Sequence, residues 1–144
     1  MSASIPPPRD YRPNPAVRWA ARYAVFMTVA HAVLWIGLVL LNLLLVPRVL
    51  KVSQDFALKV PIITEFVFAI ANWLVNYWYI LPPVFLPALV ADGALMFFLR
   101  LRPETRKWGL LWSILVFLAA FACYLVLFFG LLGPWIKLHE SLSK

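Results

Sequence analysis

A single cysteine, Cys123, stands in the whole chain, and it lies inside an apolar run. One thiol excludes an intrachain disulfide, and with only two histidines there is no Cys/His cluster at metal-ligand spacing. Charge is equally thin. Only 13% of the 144 residues are Asp, Glu, Lys or Arg, against about a quarter in a soluble domain. Acids are rarest of all, and no two carboxylates stand at a separation suited to paired acid–base work. The motifs G-x-S-x-G and H-E-x-x-H and the phosphate-binding P-loop are missing too. His139 and Glu140 are neighbours in sequence, so they point apart on a helix and read as a solvated end. These absences imply a non-enzymatic chain with no cofactor and no bound metal.

What is abundant is hydrocarbon: 64% of the residues are apolar. A soluble domain of this size leaves about a third of its surface in water and cannot hide so much. Lipid is the natural solvent, and one membrane-embedded unit is the expectation. The net charge of +7 does not point to nucleic acid, because the cations sit in short groups between apolar blocks and no recognition motif accompanies them.

Residues 1–22 read as a basic, proline-rich tail, extended to about Asn14, with a helix able to begin near Pro15. A first span over 23–46 carries no Asp, Glu, Lys or Arg and is long enough to cross a hydrocarbon core of about 30 Å. It exceeds a signal-peptide core and lacks a small-residue cleavage site, so it reads as an anchor. Residues 47–78 read as an external loop followed by an oblique interfacial helix. In that helix Thr64 is the expected cap, and Phe66, Ile70, Trp73 and Tyr77 share one face. A second span over 79–99 contains Pro82, Pro83 and Pro87, which predict a kink or local unwinding near its outer end. A basic turn at 100–107 leads to a third span over 108–132, with Gly133-Pro134 expected to end it and a tail over 133–144. Trp73, Tyr79, Trp108 and Trp135 read as interfacial anchors.

The expected fold is therefore an all-α integral membrane protein with three transmembrane helices and an interfacial helix before the second. Eight Lys/Arg lie in the N-terminal tail and the 100–107 turn, against five in the 47–78 segment and the C-terminal tail. The excess predicts a cytoplasmic N-terminus and an external C-terminus. So small a bundle leaves faces open, so lipid and either other membrane proteins or further copies of the chain are the expected partners.

Ionisable groups at membrane depth are costly, and two occur. His31 lies eight residues past Tyr23, and Asp92 lies eight residues before Arg100. The two spans run antiparallel, which places both groups about 12 Å from the same face, where they can meet. Thr28 and Ser113 stand close enough to join through hydrogen bonds. Three readings stay open: a structural pair, an aspartate reaching a water-filled vestibule or a partner, and a proton relay or ion path. The last would make the chain a small transporter or channel subunit.

The stretch from the end of the first span into the second supplies a further pattern. Val46-Pro47 closes the first span, Asp55-Phe56 follows, and Pro61 and Thr64 stand five and eight residues beyond Phe56. Leu74 and Asn76-Tyr77-Trp78 come next. Over residues 40–100 this resembles the inner-membrane platform protein, the F family, of type II secretion and type IV pilus machines. In that family a helix ending in Val-Pro precedes a periplasmic D-F-G-x-x-L-P-x-x-T stretch. Here Ala57 stands for the glycine, Val60 for the leucine, and Ala71-Asn72 for a common Ser-Asp pair. The resemblance implies a multi-pass scaffold of a bacterial inner membrane, engaged in protein secretion. The family's two cytoplasmic helical domains have no counterpart, because the second span returns after a short turn and the N-terminal tail is brief. The expectation is a reduced platform component.

Overall fold

Proline sets most of the helix boundaries. In a computed structural model, which describes residues 14–57 and 59–142, five helices follow in order. They are α1 (Pro15–Leu44), α2 (Val46–Asp55), α3 (Ile62–Asn76), α4 (Leu81–Leu101) and α5 (Arg106–Leu142). Single 3-10 turns at Trp78–Ile80 and Pro103–Thr105 precede α4 and α5. No strand occurs among the described residues. Residues 1–13 of the tail expected to be extended lie outside them.

α1 starts at Pro15 because a first-turn residue needs no N–H, and the Asn14 side chain accepts from the Ala16 N–H at 3.0 Å. Pro47 cannot donate to the Leu43 carbonyl, and the chain breaks at Leu45 into α2. Pro61 stands at the start of α3, and Pro82 and Pro83 fall within the first turn of α4. α4 itself is helical from Leu81 through Pro87 to Leu101, and the departure from α-helix at the outer end of the predicted span is the 3-10 turn at Trp78–Ile80. The missing N–H groups of Pro82 and Pro83 fall where a helix has no internal acceptor for them.

Two sequence expectations are corrected. Residues 46–55 are a helix rather than loop, because Val46, Val49 and Ser53 recur on one buried face while Arg48, Lys51 and Gln54 stay exposed. The polar residues that suggested a loop are only its outer face. Gly133-Pro134 does not end the third apolar segment either, since α5 continues to Leu142.

The reason lies in α3. Pro134 leaves the Gly130 carbonyl without its helical donor. The Thr64 hydroxyl donates to that carbonyl at 2.7 Å, from a fully buried position. Thr64 is therefore a bridge between helices rather than the cap of its own. Glycine makes the approach possible. A Cβ on Gly130 would stand 2.5 Å from Val67 Cγ2, and one on Gly133 would stand 3.0 Å from Pro61 Cγ. Small residues at such crossings are how helices pack in lipid, where no hydrophobic force drives them together.

The most extensive helix pairings are α1 with α4 and α3 with α5. The apolar core lies at one end, where Val46 and Val49 of α2 meet Val67, Phe68 and Ala71 of α3 and Leu127 and Leu131 of α5. α4 contributes almost nothing apolar to an interior; Met96 is its one buried residue. Three helical stretches, Pro15–Asp55, Trp78–Leu101 and Pro103–Glu140, are long and apolar enough to cross a membrane.

Candidate functional site

Away from the apolar core, α1, α4 and α5 are tied together by polar side chains. Near their shared end the Arg100 guanidinium lies 3.7 Å from the Tyr23 ring centroid. Eight residues further along each antiparallel helix, His31 Nδ1 stands 2.9 Å from Asp92 Oδ2. The structure thus brings together the two ionisable residues that the sequence was expected to place at one level. A third group joins them: the Trp112 indole of α5 donates to Asp92 Oδ1 at 2.7 Å. An indole N–H can only donate, so Oδ1 is the acceptor. Whichever of His31 and Asp92 holds the proton between them, both carboxylate oxygens have partners inside the bundle.

His31 is 2% exposed and the Asp92 side chain 13%. The imidazole packs edge-on against Phe117 at 5.2 Å between centroids, and its Nε2 is buried without a hydrogen-bond partner. A groove of about 280 Å³ runs beside the pair, lined by Trp35, Phe85, Trp112 and Val116 as well as by His31 and Asp92 themselves. Its walls are apolar apart from this cluster.

Thr28 and Ser113 do not join the network. Ser113 donates back to the Gly109 carbonyl of its own helix at 3.2 Å. Thr28 Oγ1 is buried without a partner and stands 3.1 Å from where a Cβ on Gly93 would sit. Trp112 was not anticipated. The available signal was a second tryptophan one turn inside the third span, four residues past Trp108, whose N–H needs an acceptor when it faces the bundle. A second cross-link is purely structural: the Tyr124 hydroxyl of α5 donates to the Leu34 carbonyl of α1 at 2.8 Å. Asn42 is buried and donates to Leu38 in its own helix, while Asn72 and Asn76 are exposed neighbours.

The residues of the platform-like stretch separate into two groups. Val46 and Thr64 are fully buried at the α2–α3–α5 end. Pro61 lies at the α3 start beside Gly133. Asp55, Phe56, Tyr77 and Trp78 are exposed. Ala57, which follows α2, has φ of 49°, the left-handed conformation that a helix-ending glycine normally adopts. Trp73, Tyr79, Trp108 and Trp135 are all exposed, with Trp73, Tyr77 and Tyr79 forming a run of ring contacts at the junction of α3 and α4. No protein-family model, curated protein or solved structure matches this chain.

Proposed function

We propose that this chain is a non-enzymatic membrane scaffold, a reduced platform-type component on which other membrane proteins assemble. The observation that carries the reading is that the Asp92 carboxylate is satisfied within the bundle. Both Asp92 oxygens are held by His31 and Trp112 of the same bundle, which suits a brace across three helices better than a path for protons or ions. The outward surfaces, by contrast, are broad and apolar. α4 keeps one face exposed along its length, and α3 presents Ile62, Phe66 and Trp73 outward.

The resemblance to the secretion and pilus platform family gains one physical point of support. The family's glycine coincides with Ala57, whose backbone takes the conformation that glycine favours. In this reading the three apolar stretches cross a bacterial inner membrane with the N-terminus cytoplasmic. α2 and α3 then lie at the external face, α3 obliquely, as the docking surface. Neighbouring helices are other membrane proteins or further copies of the chain.

The test has two arms. Photocrosslinkers placed at Ile62, Phe66 and Trp73 in native membranes should capture components of a secretion or pilus assembly, whereas those on the α5 face around Cys123 should not. The purified chain in liposomes should show no proton or ion flux above empty vesicles, and Asp92→Asn should change nothing. Flux carried by the chain alone and abolished by Asp92→Asn would replace the scaffold with the small-transporter reading.

A further inference from the structure

Two arginines gather on one aromatic pair where the start of α1, the end of α4 and the start of α5 come together. Trp19 and Tyr23 stack on each other, with ring centroids 5.8 Å apart. The Arg100 guanidinium lies 3.7 Å from the Tyr23 centroid and 5.8 Å from that of Trp19, and Arg106 lies 5.7 Å from Trp19. A cation over a ring face gains from the quadrupole, and its N–H edges remain free for an acceptor.

Neither arginine has an ion pair among the described residues. Arg100 Nε is buried with no acceptor. Arg102 and Lys107 flank the same turn, and its one acid, Glu104, is exposed and pairs with neither arginine.

The bland explanation is that a cation at a helix C-terminus favours the helix dipole and snorkels to the interface. That accounts for Arg100 alone. It does not account for a second guanidinium on the same tryptophan, since like charges repel. A multivalent anion facing the Nη groups, which unlike Arg100 Nε are not enclosed, answers this. Phosphate offers several oxygens to guanidinium edges and forms the stronger, charge-assisted class of hydrogen bond. The cluster also stands at the end of three membrane-length helices, beside the exposed rings of Trp19 and Trp108. That is headgroup level if the helices cross a bilayer.

We infer that Trp19, Tyr23, Arg100 and Arg106 form a binding site for the phosphate of an anionic phospholipid in the adjoining leaflet. The site needs only that the helices cross a membrane, and it is independent of the scaffold reading. Tyr23 and Trp19 hold the guanidinium planes, Arg100 supplies the principal contact, and Arg106 adds the second charge. A lipid held there would also staple α1, α4 and α5 together at an end where the apolar packing is thin.

The experiment is native mass spectrometry of the full chain in detergent, titrated with phosphatidylglycerol, with phosphatidylcholine, and with phosphatidylglycerol in the presence of millimolar inorganic phosphate. The expected result is a preference for phosphatidylglycerol that falls about tenfold in the Arg100→Gln/Arg106→Gln double variant, as for loss of charge-assisted hydrogen bonds. Inorganic phosphate should not displace the lipid. The Arg48→Gln/Lys51→Gln variant removes the same charge from α2 and should leave the preference intact. Arg106→Gln alone changes an exposed side chain and should lower affinity about threefold, as for one solvent-exposed ion pair; it decides the matter if the double variant fails to fold. Equal binding of the two lipids, displacement by inorganic phosphate, an equal loss in the α2 variant, or no loss in Arg106→Gln would each overturn the site.

Discussion

Replacing Thr64 with valine isolates the bond that lets α5 run through a proline. Valine keeps nearly the same volume, so no cavity confuses the result. What is lost is the hydroxyl that donates to the Gly130 carbonyl at 2.7 Å, in a fully buried setting. Because Pro134 has no N–H, that carbonyl is then left without a donor. An orphaned buried acceptor costs about 1–3 kcal/mol, and interhelical bonds measured within membranes average about 0.6 and reach about 1.7. Thr64→Val should therefore destabilise the fold by about 1–2 kcal/mol.

The decisive comparison is the same substitution in a Pro134→Ala background. There the residue 134 N–H returns to the Gly130 carbonyl, and the loss of the hydroxyl should cost about 0.5 kcal/mol or less. The coupling between the two sites is then about 1 kcal/mol, well within the range expected for residues sharing a partner. Reversible unfolding of the four proteins in mixed micelles, followed by circular dichroism against added sodium dodecyl sulfate, provides the cycle. A Thr64→Val cost that is the same with and without Pro134 would refute the idea that the hydroxyl replaces the missing amide.

Two further predictions use the same assay. A Cβ on Gly37 would meet the Tyr124 hydroxyl at 2.7 Å, so Gly37→Ala should cost about 1–3 kcal/mol, as overpacking does; most of this should be recovered in Gly37→Ala/Tyr124→Phe, and no recovery would show that the clash lies elsewhere. Ala57 carries a left-handed φ of 49°, so Ala57→Gly should stabilise the α2 end by about 1 kcal/mol, read as a shift in the unfolding midpoint; a destabilisation would mean that the turn does not hold that conformation in solution.

The residues show unevenly how far sequence reasoning reaches. The encounter of His31 with Asp92 was legible because helical rise is constant. Equal offsets from Tyr23 and Arg100 on antiparallel helices bring the two residues to one level. Trp112 was harder, since its bond depends on the rotation of α5 about its own axis, which no local pattern specifies. α2 was hidden by its exposed charges, although Val46, Val49 and Ser53 keep helical spacing. Pro134 misled because a Gly-Pro pair ordinarily stops a helix, and the residue that overrides it lies 66 positions from Gly130 in the chain.

Composition and periodicity alone determined the helical character of the described residues and the position of the three helices long and apolar enough to cross a membrane. Those properties are sums of local terms: transfer of side chains to hydrocarbon and hydrogen bonding within four residues. Only the tertiary structure decided that α5 passes through Pro134, that Asp92 is saturated by two helices, and that Arg100 and Arg106 share one aromatic platform. Each depends on a donor, an acceptor or a ring supplied from a distant part of the chain, and its position follows from how closely glycines let the helices approach.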